Sequence, residues 1–185
     1  MNQDAQRPAL QDLLDGVGSL SLSELIDRLD SFSEAERVPA EVLQPLLNRL
    51  EVTTQDLGEA ISFSEDHYLR NRVRVGSNYE VLVLCWKSGQ QSPIHDHGGS
   101  NCAVRVVQGA ATEVQFQQRD DGKLVVNKVG RLTPGRITQV DEDDLHLVAN
   151  REAEGVNLVT LHVYSPAIVE SKKYDLGGVV GDLPW

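Results

Sequence analysis

The spacing of apolar residues changes character once along the chain, near residue 62. Upstream, apolar positions recur three and four apart, the period of a helix with one face turned inward. Leu25, Ile26 and Leu29 follow that rule, and Ser21 stands three residues before Glu24, as in a capping box. Pro39 opens a second run in which Val42, Leu43, Leu46, Leu47 and Leu50 form a stripe. Pro45 lies inside it and predicts a kink or a restart, because proline lacks the amide a helix interior uses. Residues 54–61 read as a third, short helix. Near the start, Leu10, Leu13 and Leu14 hold helical spacing for about one turn before Gly16 and Gly18 end it.

From Tyr68 onward the texture is β-rich, with short runs at 72–75, 79–86, 102–107, 111–117, 124–129, 137–140, 145–149 and 157–164. Gly76-Ser77-Asn78, Gln108-Gly109, Asp120-Asp121-Gly122 and Pro134-Gly135 supply the turns between them. Strands this numerous and this evenly spaced predict a mainly β protein, a sandwich or barrel. The tail after Pro166, with Gly177, Gly178 and Gly181, reads as loop packed against it. The expected organisation is one structural domain, with a helical segment at 1–62 layered on a barrel at 63–185.

Charge and composition narrow the partners. A net charge of −11 and a pI near 4.8 leave no basic face for nucleic acid or an anionic membrane surface. No apolar run approaches the ~20 residues of a spanning helix. The first ten residues, MNQDAQRPAL, lack the basic-then-apolar order of a secretory signal. Two cysteines, Cys85 and Cys102, do not make a disulfide framework. A monomer in a reducing cytoplasm is the expectation.

The chemistry concentrates in Pro93-Ile94-His95-Asp96-His97. On an extended backbone, side chains two apart share a face, so His95 and His97 aim at one point while Asp96 turns away as a hydrogen-bonding support. Of the five histidines, His146 and His162 also fall in apolar, β-branched runs, and only His67, expected at the surface or a pocket rim, stands apart. An H-x-H pair alone is commonly structural; with His146 added, the pattern predicts a metal site. The acidic run Asp141-Glu142-Asp143-Asp144 reads as a solvated loop, and Cys85 as core.

Gly89, the H-x-H pair, Cys102 and Gly109 stand in the order of the first metal motif of the cupin superfamily, and His146-Leu-Val-Ala-Asn150 resembles the end of the second. Cys102 stands near the position of the usual cupin glutamate, which is missing, so the chain resembles the thiol dioxygenases, whose iron is held by three histidines. Leu84-Cys85-Trp86, Cys102 five after His97, Leu161-His162-Val163-Tyr164-Ser165-Pro166 and Tyr68-Leu-Arg70-Asn71 resemble cysteine dioxygenase in particular. Two departures are visible. Pro134-Gly135 lies farther from His146 than the common pattern, and Thr160 stands where family members often have serine.

The resemblance implies a cupin-type barrel, Fe(2+) held by His95, His97 and His146, and oxidation of L-cysteine by O2 to cysteine sulfinic acid. It implies that Arg70 and Tyr68 bind the substrate carboxylate and that Tyr164 assists catalysis, oriented by His162 and cross-linked by a thioether to Cys102. Elementary chemistry agrees with each role. Three neutral imidazoles leave iron(II) uncompensated and receptive to a thiolate; a guanidinium offers a carboxylate a planar, permanently charged fork. The rivals are a dioxygenase for another small thiol such as 3-mercaptopropionate, whose family usually lacks the cysteine and places its arginine elsewhere, and a non-catalytic ligand-binding cupin. Three imidazoles also suit zinc, nickel or copper.

Overall fold

In the computed structural model, residues 18–140 and 144–184 are described. The turn of helix expected around Leu10, Leu13 and Leu14, and the acidic run before Asp144, lie outside the described residues. The first helix, α1 (Leu22–Asp30), begins at the capping box: the Glu24 amide donates to Ser21 Oγ at 3.3 Å and the Ser21 amide to Glu24 Oε2 at 2.8 Å. Helix α2 (Ala40–Arg49) continues through Pro45 and does not restart there. A proline inside a helix costs about 3 kcal/mol. Burying Val42, Leu43, Leu46 and Leu47 against the barrel, at roughly 1.5–3 kcal/mol each, outweighs it. Helix α3 (Thr54–Leu57) is shorter than its pattern, because Gly58 takes a φ of +47° and the chain tightens into a 3₁₀ turn over Gly58–Ala60.

Eleven strands follow. They are β1 (Leu69–Val75), β2 (Glu80–Trp86), β3 (Ile94–His95), β4 (Asn101–Gln108), β5 (Ala111–Gln118), β6 (Leu124–Leu132), β7 (Ile137–Val140), β8 (Leu145–Asn150), β9 (Leu158–Ser165), β10 (Glu170–Asp175) and β11 (Gly178–Pro184). Antiparallel pairing arranges them in two sheets, β1-β2-β9-β4-β7 and β11-β10-β3-β8-β5-β6. This is the mainly β, double-sheet architecture expected of a cupin-type barrel.

The central strands β2 and β9 are buried on both faces, which is why their sequences read as continuous apolar runs. Val81, Val83, Cys85, Val159, Leu161 and Val163 face outward into a core shared with the helices. Leu82, Leu84, Trp86, Cys102, Val104, Leu158 and Tyr164 face the barrel interior. Helix α2 packs on β4 and β7. Arg105, on β4, donates from Nη1 at 2.9 Å to the Leu47 carbonyl, which also accepts from the Leu50 amide, and so ties the end of α2 to the sheet.

The tail is not the loop its glycines suggested. Glu170–Asp175 and Gly178–Pro184 form a hairpin, with Leu176 and Gly177 as its turn, and β10 pairs with β3. Ser171 is buried while its neighbours Glu170 and Lys172 are exposed, an alternation partly hidden by the polar side chains. Among the described residues no helix is long and apolar enough to cross a membrane.

Candidate active site

Strand β3 is only two residues long, and it places His95 directly opposite His146 of β8. His97 lies just past its end, so the H-x-H pair spans a strand terminus, as expected. The turn is held from outside the barrel. Asp96 points away from the histidines; its Oδ1 accepts from the amides of Gly98 at 3.1 Å and Lys172 at 2.9 Å, and its Oδ2 from the Tyr174 hydroxyl at 2.9 Å. Gly98 is required there. Its φ is +55°, and a Cβ would lie 1.7 Å from the Glu170 carbonyl oxygen on β10.

The three histidines are buried, and one ligand atom from each lies within 4.8 Å of the others. One ion with nitrogens at ~2.0–2.2 Å would hold such a trio about 3–3.6 Å apart, so the rings close in by an ångström or more on binding. Two of the rings are oriented. His95 Nδ1 lies 3.0 Å from the Pro93 carbonyl and His146 Nδ1 lies 2.9 Å from Glu113 Oε1, so in each ring Nδ1–H donates and Nε2 is left to bind. His97 is fully buried and neither ring nitrogen has a hydrogen-bond partner among the described residues. Such an orphaned imidazole is costly without a ligand. The donor set, three neutral-capable nitrogens converging in a dry site, therefore fits a transition metal. Burial, with His146 beside it, holds His95 down to about 3 and His97 well below the usual range, so both rings stay neutral, the form a metal needs.

The facing wall comes from the other sheet. Strand β9 turns Thr160, His162 and Tyr164 to the interior in succession. The Trp86 indole donates to Thr160 Oγ1 at 3.0 Å, Thr160 Oγ1 lies 2.9 Å from His162 Nε2, and His162 Nδ1 lies 3.1 Å from the Tyr164 hydroxyl. An indole can only donate. Thr160 Oγ1 therefore accepts from it, and the hydroxyl's second lone pair and own hydrogen let it either give to or accept from His162 Nε2. Where Thr160 gives, His162 Nδ1–H is left to donate to the Tyr164 oxygen, which then keeps its own proton to donate elsewhere. Burial, reinforced by Cys102, holds the Tyr164 phenol well above its ordinary value, and burial keeps His162 neutral.

Cys102 and Tyr164 are direct cross-strand neighbours of β4 and β9, side by side on the interior face, and both are buried. Burial pushes the Cys102 thiol up, opposed by a hydrogen bond with Tyr164. Arg70 is partly buried on β1, opposite Leu84, and is not the solvated charge that its exposed neighbours Arg72 and Arg74 are. Burial pushes its guanidinium down, and the fields of Tyr164, Tyr68 and Glu80 oppose that shift. Tyr68 stacks on Trp86, with ring centroids 4.1 Å apart. Tyr68, Trp86, His95, His146, His162 and Tyr164 line one pocket, whose free space measured out to solvent is about 240 Å³. His67 is exposed, and Cys85 is buried beneath the helices. The sequence reading missed Glu113. A charged residue at an inward position of β5, beside Ala111, was the available signal.

Known proteins resemble this chain in sequence and in fold. A Danio rerio protein named cysteine dioxygenase type 1 is 29% identical over 161 residues, covering 84% of this chain and 79% of that protein. The Homo sapiens protein of the same name is 27% identical over 159 residues, with the same coverage. In fold, a Klebsiella pneumoniae protein with a double-stranded β-helix domain superposes with a TM-score of 0.51 at 21% identity, covering 60% of this chain and 81% of that one. Residues 15–176 match the family described as cysteine dioxygenase type I, and the chain belongs to that family of dioxygenase enzymes.

Proposed function

We propose that the protein is an iron(II) thiol dioxygenase that converts L-cysteine and O2 to cysteine sulfinic acid. The observation that carries this reading is a buried three-histidine cluster, two of whose members share one pocket with a hydrogen-bonded tyrosine, with Arg70 near enough to feel the charge of Tyr164 and Tyr68. A ligand-binding cupin has no need of a buried phenol held by a hydrogen-bonded chain from Trp86 through Thr160 and His162.

His95, His97 and His146 hold the metal in this reading. Iron(II), when bound, supplies the redox chemistry that lets ground-state dioxygen react with a thiolate. Arg70 pairs the substrate carboxylate through its fork, and Tyr68, stacked on Trp86, supports the same end of the pocket. Tyr164 donates its hydroxyl proton at the sulfur end, and His162 holds the phenol in place through Nδ1–H. Cys102 and Tyr164 become joined by a thioether. That step removes the thiol hydrogen and one ring hydrogen and passes two electrons to dioxygen. A reducing cytoplasm suits free thiols at Cys85 and Cys102.

Oxygen uptake by iron-loaded protein with L-cysteine, 3-mercaptopropionate and cysteamine tests the assignment. Uptake with L-cysteine well above the other two is expected, because cysteamine lacks the carboxylate and 3-mercaptopropionate the amine. A preference for 3-mercaptopropionate would move the substrate to another thiol, and no uptake with any of them would leave a binding protein.

A further inference from the structure

A three-histidine site differs from the common cupin arrangement by lacking a carboxylate among its ligands. The structure holds a carboxylate one step away. Glu113 sits on β5 with its side chain in the barrel interior, diagonal to His146 on the paired strand β8. Its side chain is 6% exposed and that of His146 2%. Glu113 Oε1 accepts from His146 Nδ1 at 2.9 Å, and Oε2 accepts from the Thr138 hydroxyl on β7 at 3.1 Å. The His97 ring nitrogens have no hydrogen-bond partner among the described residues. His95 is oriented by a neutral carbonyl, and Asp96 is turned outward into the β10 clasp.

A charge buried this far is retained only where something uses it, since desolvating a carboxylate costs several kcal/mol. We infer that Glu113 is the positioning residue of the metal site, supplying through His146 the negative charge that the ligand set itself lacks. The bond fixes the His146 tautomer, and the carboxylate makes the ring a stronger donor, as carboxylates behind metal-bound histidines do. The site is then not three equivalent neutral imidazoles. His146 is the anionically backed ligand, and the thiol-for-glutamate exchange at Cys102 is offset from the neighbouring strand.

The inference rests on the reading of the three histidines as a metal site, and the variants separate the two. Glu113→Gln is nearly isosteric. Its amide oxygen still accepts from His146 and its amide nitrogen can donate to Thr138, so only the charge is lost. Glu113→Ala removes the charge and the hydrogen bond together. Metal-free protein titrated with Co(II) alone should bind about tenfold more weakly in Glu113→Gln and towards a hundredfold more weakly in Glu113→Ala, the range seen when such partners are removed. Nitrogen-15 spectra of the His146 ring should keep the Nδ1–H tautomer in Glu113→Gln and lose it in Glu113→Ala. The iron(III)/iron(II) potential should move positive in Glu113→Gln, because a negative charge favours the higher oxidation state. A purely structural role would not produce that shift in a folded isostere.

Co(II) affinity and potential unchanged in Glu113→Gln would overturn the inference while leaving the metal site standing. Co(II) bound equally well by wild type and His146→Ala would overturn the metal assignment and the inference with it. Should Glu113→Ala fail to fold, the Glu113→Gln measurements decide alone.

Discussion

In the proposed reaction Arg70 and Tyr164 divide the substrate's two ends between them, so their variants should fail differently. Arg70→Ala should lower kcat/KM for L-cysteine by the equivalent of about 2–5 kcal/mol, the usual effect of leaving a partly desolvated charge unpaired. Arg70→Lys should recover little, since an ammonium cannot form the fork. Near-normal kinetics in the alanine variant would remove Arg70 from the substrate. Tyr164→Phe should cost more than Cys102→Ser, because it deletes the hydroxyl bonded to His162, whereas the proposed thioether from Cys102 would only fix the ring. Intact mass after turnover with iron, L-cysteine and oxygen checks the thioether through a loss of two hydrogens, which Cys102→Ser should abolish. No mass loss in the wild type after prolonged turnover would sink the cross-link.

At the scale of elements, the site depends on a clasp. The β10 strand holds the outside of the H-x-H turn through Asp96, Tyr174 and the Lys172 amide. Tyr174→Phe should lower stability by about 1 kcal/mol, the worth of one ordinary hydrogen bond, with a modest loss of bound metal. Gly98→Ala should be far worse. It sets a left-handed residue, at about 1–2 kcal/mol, beside a backbone oxygen that must move. Thermal melts and metal content measure both; an unaffected Gly98→Ala would mean that β10 does not press on the turn.

The clasp also explains what the sequence made legible. The helices declared themselves through caps and stripes at Ser21 and Val42–Leu50, and eight strands through apolar runs. The ligands were readable because H-x-H has a definite geometry on extended chain. The hairpin after Pro166 was not, since Glu170, Lys172 and Lys173 are polar on an exposed face and Gly177 marks its turn. Pro45 does not restart its helix, its local cost being outweighed by burial that only the fold reveals. Glu113 escaped because its meaning lies across a strand pair, in a diagonal to His146 that no linear spacing encodes.

For the whole molecule, the buried histidines tie stability to pH. His95, His97 and His162 all have folded values below their ordinary one, so the unfolded chain binds more protons than the folded chain on acidification. Stability rises with pH wherever that holds. The contribution is therefore complete above about 6.5 and is lost as pH falls from there towards about 3, the value for His95. In metal-free protein the loss should be on the order of 1 kcal/mol per histidine for each pH unit below about 5.5. Denaturant melts across pH 7.5 to 5 would show it, and a flat profile would mean these rings are protonated in the fold. Bound metal should steepen the fall, because protons compete with it for the same nitrogens.

The most direct measurement of the central claim is the isotopic content of the product. Iron-loaded protein should turn over L-cysteine under ¹⁸O2 to a cysteine sulfinic acid carrying both labelled oxygens, with His146→Ala giving none. Product with one label, or disulfide formed with no sulfinate, would contradict the assignment of this pocket as a thiol dioxygenase site.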